Sequence, residues 1–330
     1  MAGNTVLTLA DDLRSGRTPF VMATVVRAQR PTSAKPGDRA LVLPDGSIAG
    51  FVGGTCAETT VRTQGLRLLL TGESTLLRIT PTATEEIVTE GLVTVGNPCL
   101  SGGALDIFLE AMLPPMLVYV YGDAPVARAL LDVGRTLGHD VRHLTDTAAS
   151  LADDLSALVV ASHGRDEAAV LTTALRAGVP YVGLVASPRR GSAVVGSLDV
   201  TDAERARVHT PAGLDIGART PAEIALSVYA ELISERPGRT AGRPLPVVES
   251  VFEATDPVCG MTVAVSPSSL NVRHHDKTVY FCGPGCRQAF ADDPSRYSVA
   301  GRTTVPRSRS TPSGGAPSES SSRIIDQDSR

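Results

Sequence analysis

The segment LVYVYGDAPVA, residues 117–127, runs five apolar or aromatic residues into a glycine and then into a helix-forming series. An unbroken apolar run of this length is a strand buried on both faces, and Gly122 supplies a tight strand-to-helix turn. The helix Pro125–Leu137 follows, then strands at Asp140–Leu144 and Ala157–Ala161, a helix at Asp166–Ala177, a strand at Tyr181–Val185 and a helical stretch near Pro188–Gly196. Alternation with short connections predicts a parallel sheet covered on both faces, a Rossmann-like α/β domain. Its last helix has a clear start: Thr220 as N-cap, Pro221 at the first helical position and Glu223 completing a capping box.

Set against the dinucleotide fingerprint, the same segment is defective. The second glycine is Ala124 and the third is Ala127, and the second is the one that lets backbone approach a pyrophosphate. Asp146, 24 residues after Gly122, ends the next strand where an acid can meet a ribose hydroxyl. His163 follows the strand Ala157–Ala161 at the edge where such folds bind ligands. It reads either as part of a site loop or as a plain loop histidine beside a helix-capping Asp166. The scaffold is expected, and bound NAD(P) is not.

Working outward, residues 1–115 read as a mixed α+β domain. Phe20–Ala28 is an apolar, β-branched run, and Arg39–Leu43 and Ser47–Phe51 flank the turn Pro44-Asp45-Gly46. Cys56–Leu70 has helical spacing and stops at Gly72; Leu92–Val95 and Ala104–Leu109 read as strands around the loop 97–103. In Gly53-Gly54-Thr55-Cys56-Ala57-Glu58 the cysteine falls in the first helical turn, where N–H groups and the helix dipole favour an anion. Cys99 lies in the loop NPCLSGG, in which Gly102 and Gly103 let a bulky ligand come close. Soft sulfurs in such loops suit a soft metal, carried sulfur or an anionic cofactor; as core residues they are ordinary small hydrophobes.

The second domain spans 116–235, and RPGRTAGRPLP opens a linker over 236–254. A small cysteine-containing module occupies 255–298, and 299–330 is Ser, Arg, Pro and Gly with little to bury, a disordered tail. Of five cysteines, Cys259, Cys282 and Cys286 fall in this module with spacing C-x22-C-x3-C, a three-thiolate pocket suited to Zn²⁺ or Cu(I), with His274 or His275 as candidate fourth ligand. An odd cysteine count in a chain of 330 residues speaks against a disulfide framework. A net charge of −4 without a basic cluster argues against nucleic acid. With neither a long apolar run nor a leader-like N-terminus, stable membrane insertion is not expected, and the expected location is cytoplasmic.

Residues 20–58, ending ATVVRAQRPTSAKPGDRALVLPDGSIAGFVGGTCAE, resemble the N-terminal domain of the XdhC/CoxI family, as does NPCLSGGALDIFLE at 97–110, which is closest to the CoxI branch. The resemblance continues through YVGLVASPRR at 181–190 and HTPAGLDIGARTPAEIALSVYAELI at 209–233. It implies a maturation factor, a non-catalytic chaperone that carries molybdenum cofactor as cargo and assists its sulfuration. The cargo then passes to an apo molybdenum hydroxylase of the xanthine or carbon monoxide dehydrogenase type, with a cysteine desulfurase or sulfurtransferase as further partner. Cys56 and Cys99 would meet the metal head, and Gly53-Gly54-Thr55, with Glu58 behind it, an anionic group. Ala124 and Val185-Ala186-Ser187 depart from the family pattern and oppose a nucleotide in the second domain. A homodimer is the default assembly. Residues 255–297, with DPVCGM and YFCGPGC, resemble a YHS domain, which implies metal binding. Two other readings stand beside the chaperone: an NAD(P)-dependent oxidoreductase, and a metal-responsive binding protein acting through the C-terminal module.

Overall fold

A computed structural model describes residues 2–81, 86–96, 103–147, 149–235, 251–297 and 303–305. Cys99 and Gly102 lie outside the described residues, as do 236–250 of the expected linker and most of the expected tail.

The first sheet has seven strands: β1 (Phe20–Gln29), β2 (Arg39–Val42), β3 (Ile48–Gly50), β4 (Thr75–Thr80), β5 (Ile87–Thr89), β6 (Leu92–Gly96) and β7 (Ala104–Met112), in the order β3-β2-β1-β7-β4-β6-β5. Alternation along β1 and β2 sorts their side chains between two cores. Val21, Ala23, Val25, Ala40 and Val42 face helix α2 (Thr55–Thr71), while Phe20, Met22 and Leu41 pack with Val6 and Ala10 of helix α1 (Ala2–Ser15). The helix expected over Cys56–Leu70 is thus α2, and Gly72 ends it at φ 74°, donating its N–H to the Leu68 carbonyl. Buried residues lie nearly all round α2, including Thr59, Thr63 and Gln64, because a second layer covers the face turned away from the sheet.

The second sheet is parallel, in the order β12-β11-β10-β8-β9: β8 (Leu117–Tyr121), β9 (Asp140–Leu144), β10 (Leu155–Val160), β11 (Tyr181–Leu184) and β12 (Val208–His209). Every residue of β8 is buried. Val118 and Val120 face the layer of α3 (Pro125–Thr136) and α7 (Pro221–Ser234). Leu117, Tyr119 and Tyr121 face the layer of α4 (Glu167–Arg176), with α5 (Pro188–Gly196) and α6 (Asp202–Arg205) beside it. This is the mixed α/β architecture with a Rossmann-like parallel sheet that the alternation implied. The capping box at Thr220 and Glu223 is formed in both directions. Asp166 stands at the N-cap of α4, but its side chain makes no cap bond and instead accepts from the Tyr121 hydroxyl at 3.3 Å.

The C-terminal module departs from the expected boundaries. Its first strand, β13 (Val251–Thr255), begins inside the expected linker, because VFEAT alternates well enough to pair with β14 (Thr262–Ala264). On its other edge β13 pairs with β17 (Thr303–Val305), so three residues of the expected tail are an edge strand. The hairpin of β15 (Asn271–His274) and β16 (Lys277–Tyr280) and the helix α8 (Pro284–Asp292) complete it.

Candidate functional site

The second layer over α2 is this module. Three residues one turn apart on α2 carry the joint: Thr59 donates to the Cys282 carbonyl at 2.8 Å, Thr63 accepts from the Ala264 N–H at 3.0 Å, and Arg67 forms a fork with Glu253 at 2.6 and 2.8 Å. Spacing of four residues puts all three on one helix face. At the module's far edge Ser268 donates to the Gly46 carbonyl at 2.8 Å.

This joint brings together sulfurs that the sequence keeps far apart. Cys56, in the first turn of α2, packs in one cluster with Cys259, Cys282, Cys286 and Met261. The Cys282 sulfur lies 3.5 Å from that of Cys259 and 3.6 Å from that of Cys286. The Cys56 sulfur lies 4.0 Å from where a Cβ on Gly283, next to Cys282, would stand. Asp256, fully buried, lies under the cluster: one carboxylate oxygen accepts from Val258 N–H at 2.9 Å, the other from Cys282 N–H at 2.7 Å. Ligand atoms of Asp256, Cys259, Cys282 and Cys286 all fall within 4.8 Å of one another. His274 and His275 are not in that set; they meet each other edge-on, and His274 meets Phe290 edge-on. The fourth-ligand role expected of them is not seen in this arrangement, because the hairpin turn sets their rings against each other and against Phe290.

The thiols titrate as a set. A hydrogen bond from Cys282 stabilises the Cys259 thiolate, so Cys259 falls below the ordinary thiol value. Cys282 consequently holds its proton and is pushed up strongly, first by Cys259, then by Cys56, then by burial. Burial, with the Asp256 and Cys259 charges, pushes Cys286 up to about 12. A cation at the centre would reverse this order by favouring every thiolate.

Around Cys56 the remaining candidate residues are backbone devices. Gly53, at φ 133°, is buried against Ala57 and Leu105, and no Cβ fits the turn without strain. Gly54 is the N-cap of α2, exposed with open space around it, and Thr55 beside it is exposed. Glu58 pairs with Arg62 at 3.1 Å. Gly103 is held against the Pro31 carbonyl, which a Cβ would meet at 2.2 Å.

The other candidate residues belong to a separate cleft of about 310 Å³ at the C-terminal edge of the parallel sheet, lined by Tyr121, Gly122, Asp123, His143, Ser162 and Arg165 among others. It opens between β8 and β10, where the strand order reverses. Gly122, at φ 113°, lies so close to the end of β10 that a Cβ would sit 2.3 Å from the Ala161 carbonyl oxygen. Asp123 and Arg165 join across the mouth as an ion pair, and the guanidinium holds the Asp123 carboxyl below the usual range. His143 meets the Gly122 carbonyl at 2.8 Å. His163, at φ 54°, and Asp146 are exposed on the flanking loops. Sequence reasoning missed the girder of this cleft: buried Glu167 accepts from Gly164 N–H at 2.9 Å and Ser162 at 3.3 Å, and pairs with Arg190 at 2.5 Å. The SPRR motif contains that arginine, but nothing local marks Glu167 as its partner.

Two family models match the chain where these two regions lie: the XdhC and CoxI family over residues 13–80 and the XdhC Rossmann domain over residues 118–232. The chain belongs to the XdhC and CoxI family. Among curated proteins it is similar to the uncharacterized protein YqeB of Escherichia coli strain K12, at 27% identity over 266 residues, or 72% of this chain and 47% of YqeB. The chain therefore spans about half the length of the curated relative it matches. Among solved structures it is similar to one described as a xanthine dehydrogenase from Bacillus halodurans, at 15% identity and a TM-score of 0.34, covering 71% of this chain and 95% of that one. The matched ranges cover β1 to β4 with α2 and nearly all of the parallel-sheet domain; neither reaches the C-terminal module.

Proposed function

We propose that this XdhC-family chain is a maturation factor for a xanthine dehydrogenase-type hydroxylase, and that it holds molybdenum cofactor as cargo while a separate sulfur donor and the client enzyme act on it. The observation that carries this reading is the placement of Cys56. It is a half-buried sulfur in the first turn of a 17-residue helix, behind a glycine pair with open space beside Gly54. The cargo has an anionic phosphate and a soft metal–dithiolene head. The first-turn N–H groups favour the anion, and a thiolate is a matching ligand for the head. Cys99, with Gly103 positioning the end of its loop, is the second sulfur in the proposal.

The cleft of the parallel sheet is less suited to a dinucleotide. A pyrophosphate there would face the Asp123 carboxylate, and Arg165, the cation nearest to it, is already paired with that acid. This supports a scaffold role for the Rossmann-like domain and disfavours the oxidoreductase reading; a nicotinamide nucleotide titration should give no saturable binding.

Reconstitution tests the proposal. Apo-hydroxylase is incubated anaerobically with cofactor, a sulfur donor and either the wild-type chain or Cys56→Ser. Wild type should raise recovered hydroxylase activity, and Cys56→Ser should lower that gain by about tenfold or more, the scale of one lost metal–thiolate contact. Equal recovery with both chains would overturn the role of Cys56.

A further inference from the structure

We propose that Cys56 completes a soft-metal site shared between the N-terminal domain and the C-terminal module, with Cys259, Cys282 and Cys286 as the other three ligands. The inference is independent of the cargo reading: it concerns a resident ion, and it adds to the module's own cysteines a ligand from another part of the fold.

Four observations point to this site. First, the sulfur separations of 3.5 and 3.6 Å in the module are close to a tetrahedron edge of about 3.8 Å expected for bonds of about 2.3 Å to Zn²⁺. Three module thiols therefore need little movement to close on one ion. Second, the module offers no fourth thiolate among its described residues: beside its three cysteines the cluster holds only the Met261 thioether, a weaker and uncharged donor. The module's histidines are not among the groups within ligand range of one another, and the Asp256 carboxylate that is in range is a hard oxygen donor already accepting from two backbone N–H groups, so a soft ion favours a further sulfur over it. Third, Cys56 lies in the same cluster as Cys259, Cys282 and Cys286, with its sulfur 4.0 Å from where a Cβ on Gly283, the residue after Cys282, would stand. Its sulfur can travel about 3 Å between staggered χ1 positions without any movement of the backbone. Fourth, the joint that holds it there is specific: Thr59, one turn along α2, donates to the carbonyl of Cys282 itself, a residue 223 positions away.

A four-thiolate set selects Zn²⁺, with Cu(I) the competing soft ion. Such an ion would tie the module to α2 with bonds that neither part can make alone. A thiol held this way is also unavailable to anything else while the ion is bound, so metal occupancy would control access to Cys56.

The test uses the full-length chain, Co²⁺ as a spectroscopic stand-in for Zn²⁺, and the variants Cys56→Ser and Cys56→Ala, with far-ultraviolet circular dichroism checking that each variant keeps its fold. Wild type should bind one Co²⁺ with tetrahedral ligand-field bands. Its sulfur-to-cobalt charge-transfer intensity should drop by about a quarter in both variants, and Co²⁺ affinity should fall about tenfold or more. In wild type, Zn²⁺ should protect Cys56 from iodoacetamide, and a chelator should restore its alkylation. Identical charge-transfer intensity and affinity in wild type and both variants would overturn the proposal and leave a three-cysteine site within the module. Absence of tetrahedral Co²⁺ binding in wild type would overturn it as well. Because no molybdenum cofactor is present, a negative result leaves the cargo reading standing, whereas a positive one restricts cargo binding at Cys56 to the metal-free chain.

Discussion

The cleft of the parallel sheet and the sulfur cluster beside α2 are both lined with polar or polarisable groups, yet they differ in how those groups are spent. In the cleft, Asp123 pairs with Arg165, Tyr121 donates to Asp166, His143 meets the Gly122 carbonyl, and Glu167 takes up Ser162, Gly164 and Arg190. Each charge has a partner within the protein, so a ligand entering there must displace one. At the joint, the backbone groups are paired, but the four sulfurs have chiefly one another. Neutral thiols are weak hydrogen-bonding partners, while as thiolates they are strong ligands. Capacity for a ligand is thus better read from which groups remain underused than from the depth of a pocket.

The largest expected effect comes from removing the support of the cluster. Asp256→Ala leaves the Val258 and Cys282 N–H groups buried without their carboxylate, at a cost of about 2–5 kcal/mol for the pair. A module of this size has little stability to lose. Hydrogen exchange should show protection lost across 251–297 while the parallel sheet keeps its own. Uniform loss in both regions would contradict their separateness.

A smaller effect is expected in the cleft. Gly122→Ala places a methyl group 2.3 Å from the Ala161 carbonyl and demands φ 113° of a residue with a Cβ. A cost of about 2–3 kcal/mol is expected from chemical denaturation, assigned to the parallel sheet. A neutral result would mean that β8 and β10 separate more easily than their register implies.

The smallest effect probes the contact between the two sheets. Arg17, at the end of α1, pairs with Asp140 at 2.9 Å and Asp154 at 2.8 Å and donates to the Pro115 carbonyl at 2.7 Å. Arg142, with Arg17 behind it, holds Asp140 below the usual carboxylate range. A depressed folded-state pKa contributes stability that is fully present above the unfolded value, about 4, and is lost as pH falls through the lower folded value. Arg17→Ala should therefore cost about 1–2 kcal/mol at pH 7 and less below pH 4, as read from denaturation midpoints at the two pH values. A penalty that grows on acidification would show that the pair is not what Arg17 contributes.

The parallel sheet was legible in the sequence because its signals are local. LVYVY is buried throughout, the Thr220–Glu223 pair starts α7 as written, and the alternation needs no long-range information. Strand β4 is not marked in the sequence although Thr75, Leu77 and Ile79 alternate inward, because TLLRIT is short and an apolar Leu76 at an outward position blurs its alternation. The joint was illegible for a different reason. Cys56 and Cys282 are brought together by docking of one folded part on another, which leaves no periodic trace. The one available hint was the stripe Thr59, Thr63 and Arg67, three hydrogen-bonding side chains on one face of α2, which in sequence reads the same as a solvated face.

The most direct measurement is equilibrium binding of anaerobically supplied molybdenum cofactor to the metal-free full-length chain, comparing Cys56→Ala with Asp123→Ala. The account predicts stoichiometric binding in wild type, about tenfold or greater weakening in Cys56→Ala, and unchanged binding in Asp123→Ala. Full binding by Cys56→Ala together with loss in Asp123→Ala would place the cargo in the cleft of the parallel sheet and contradict the account.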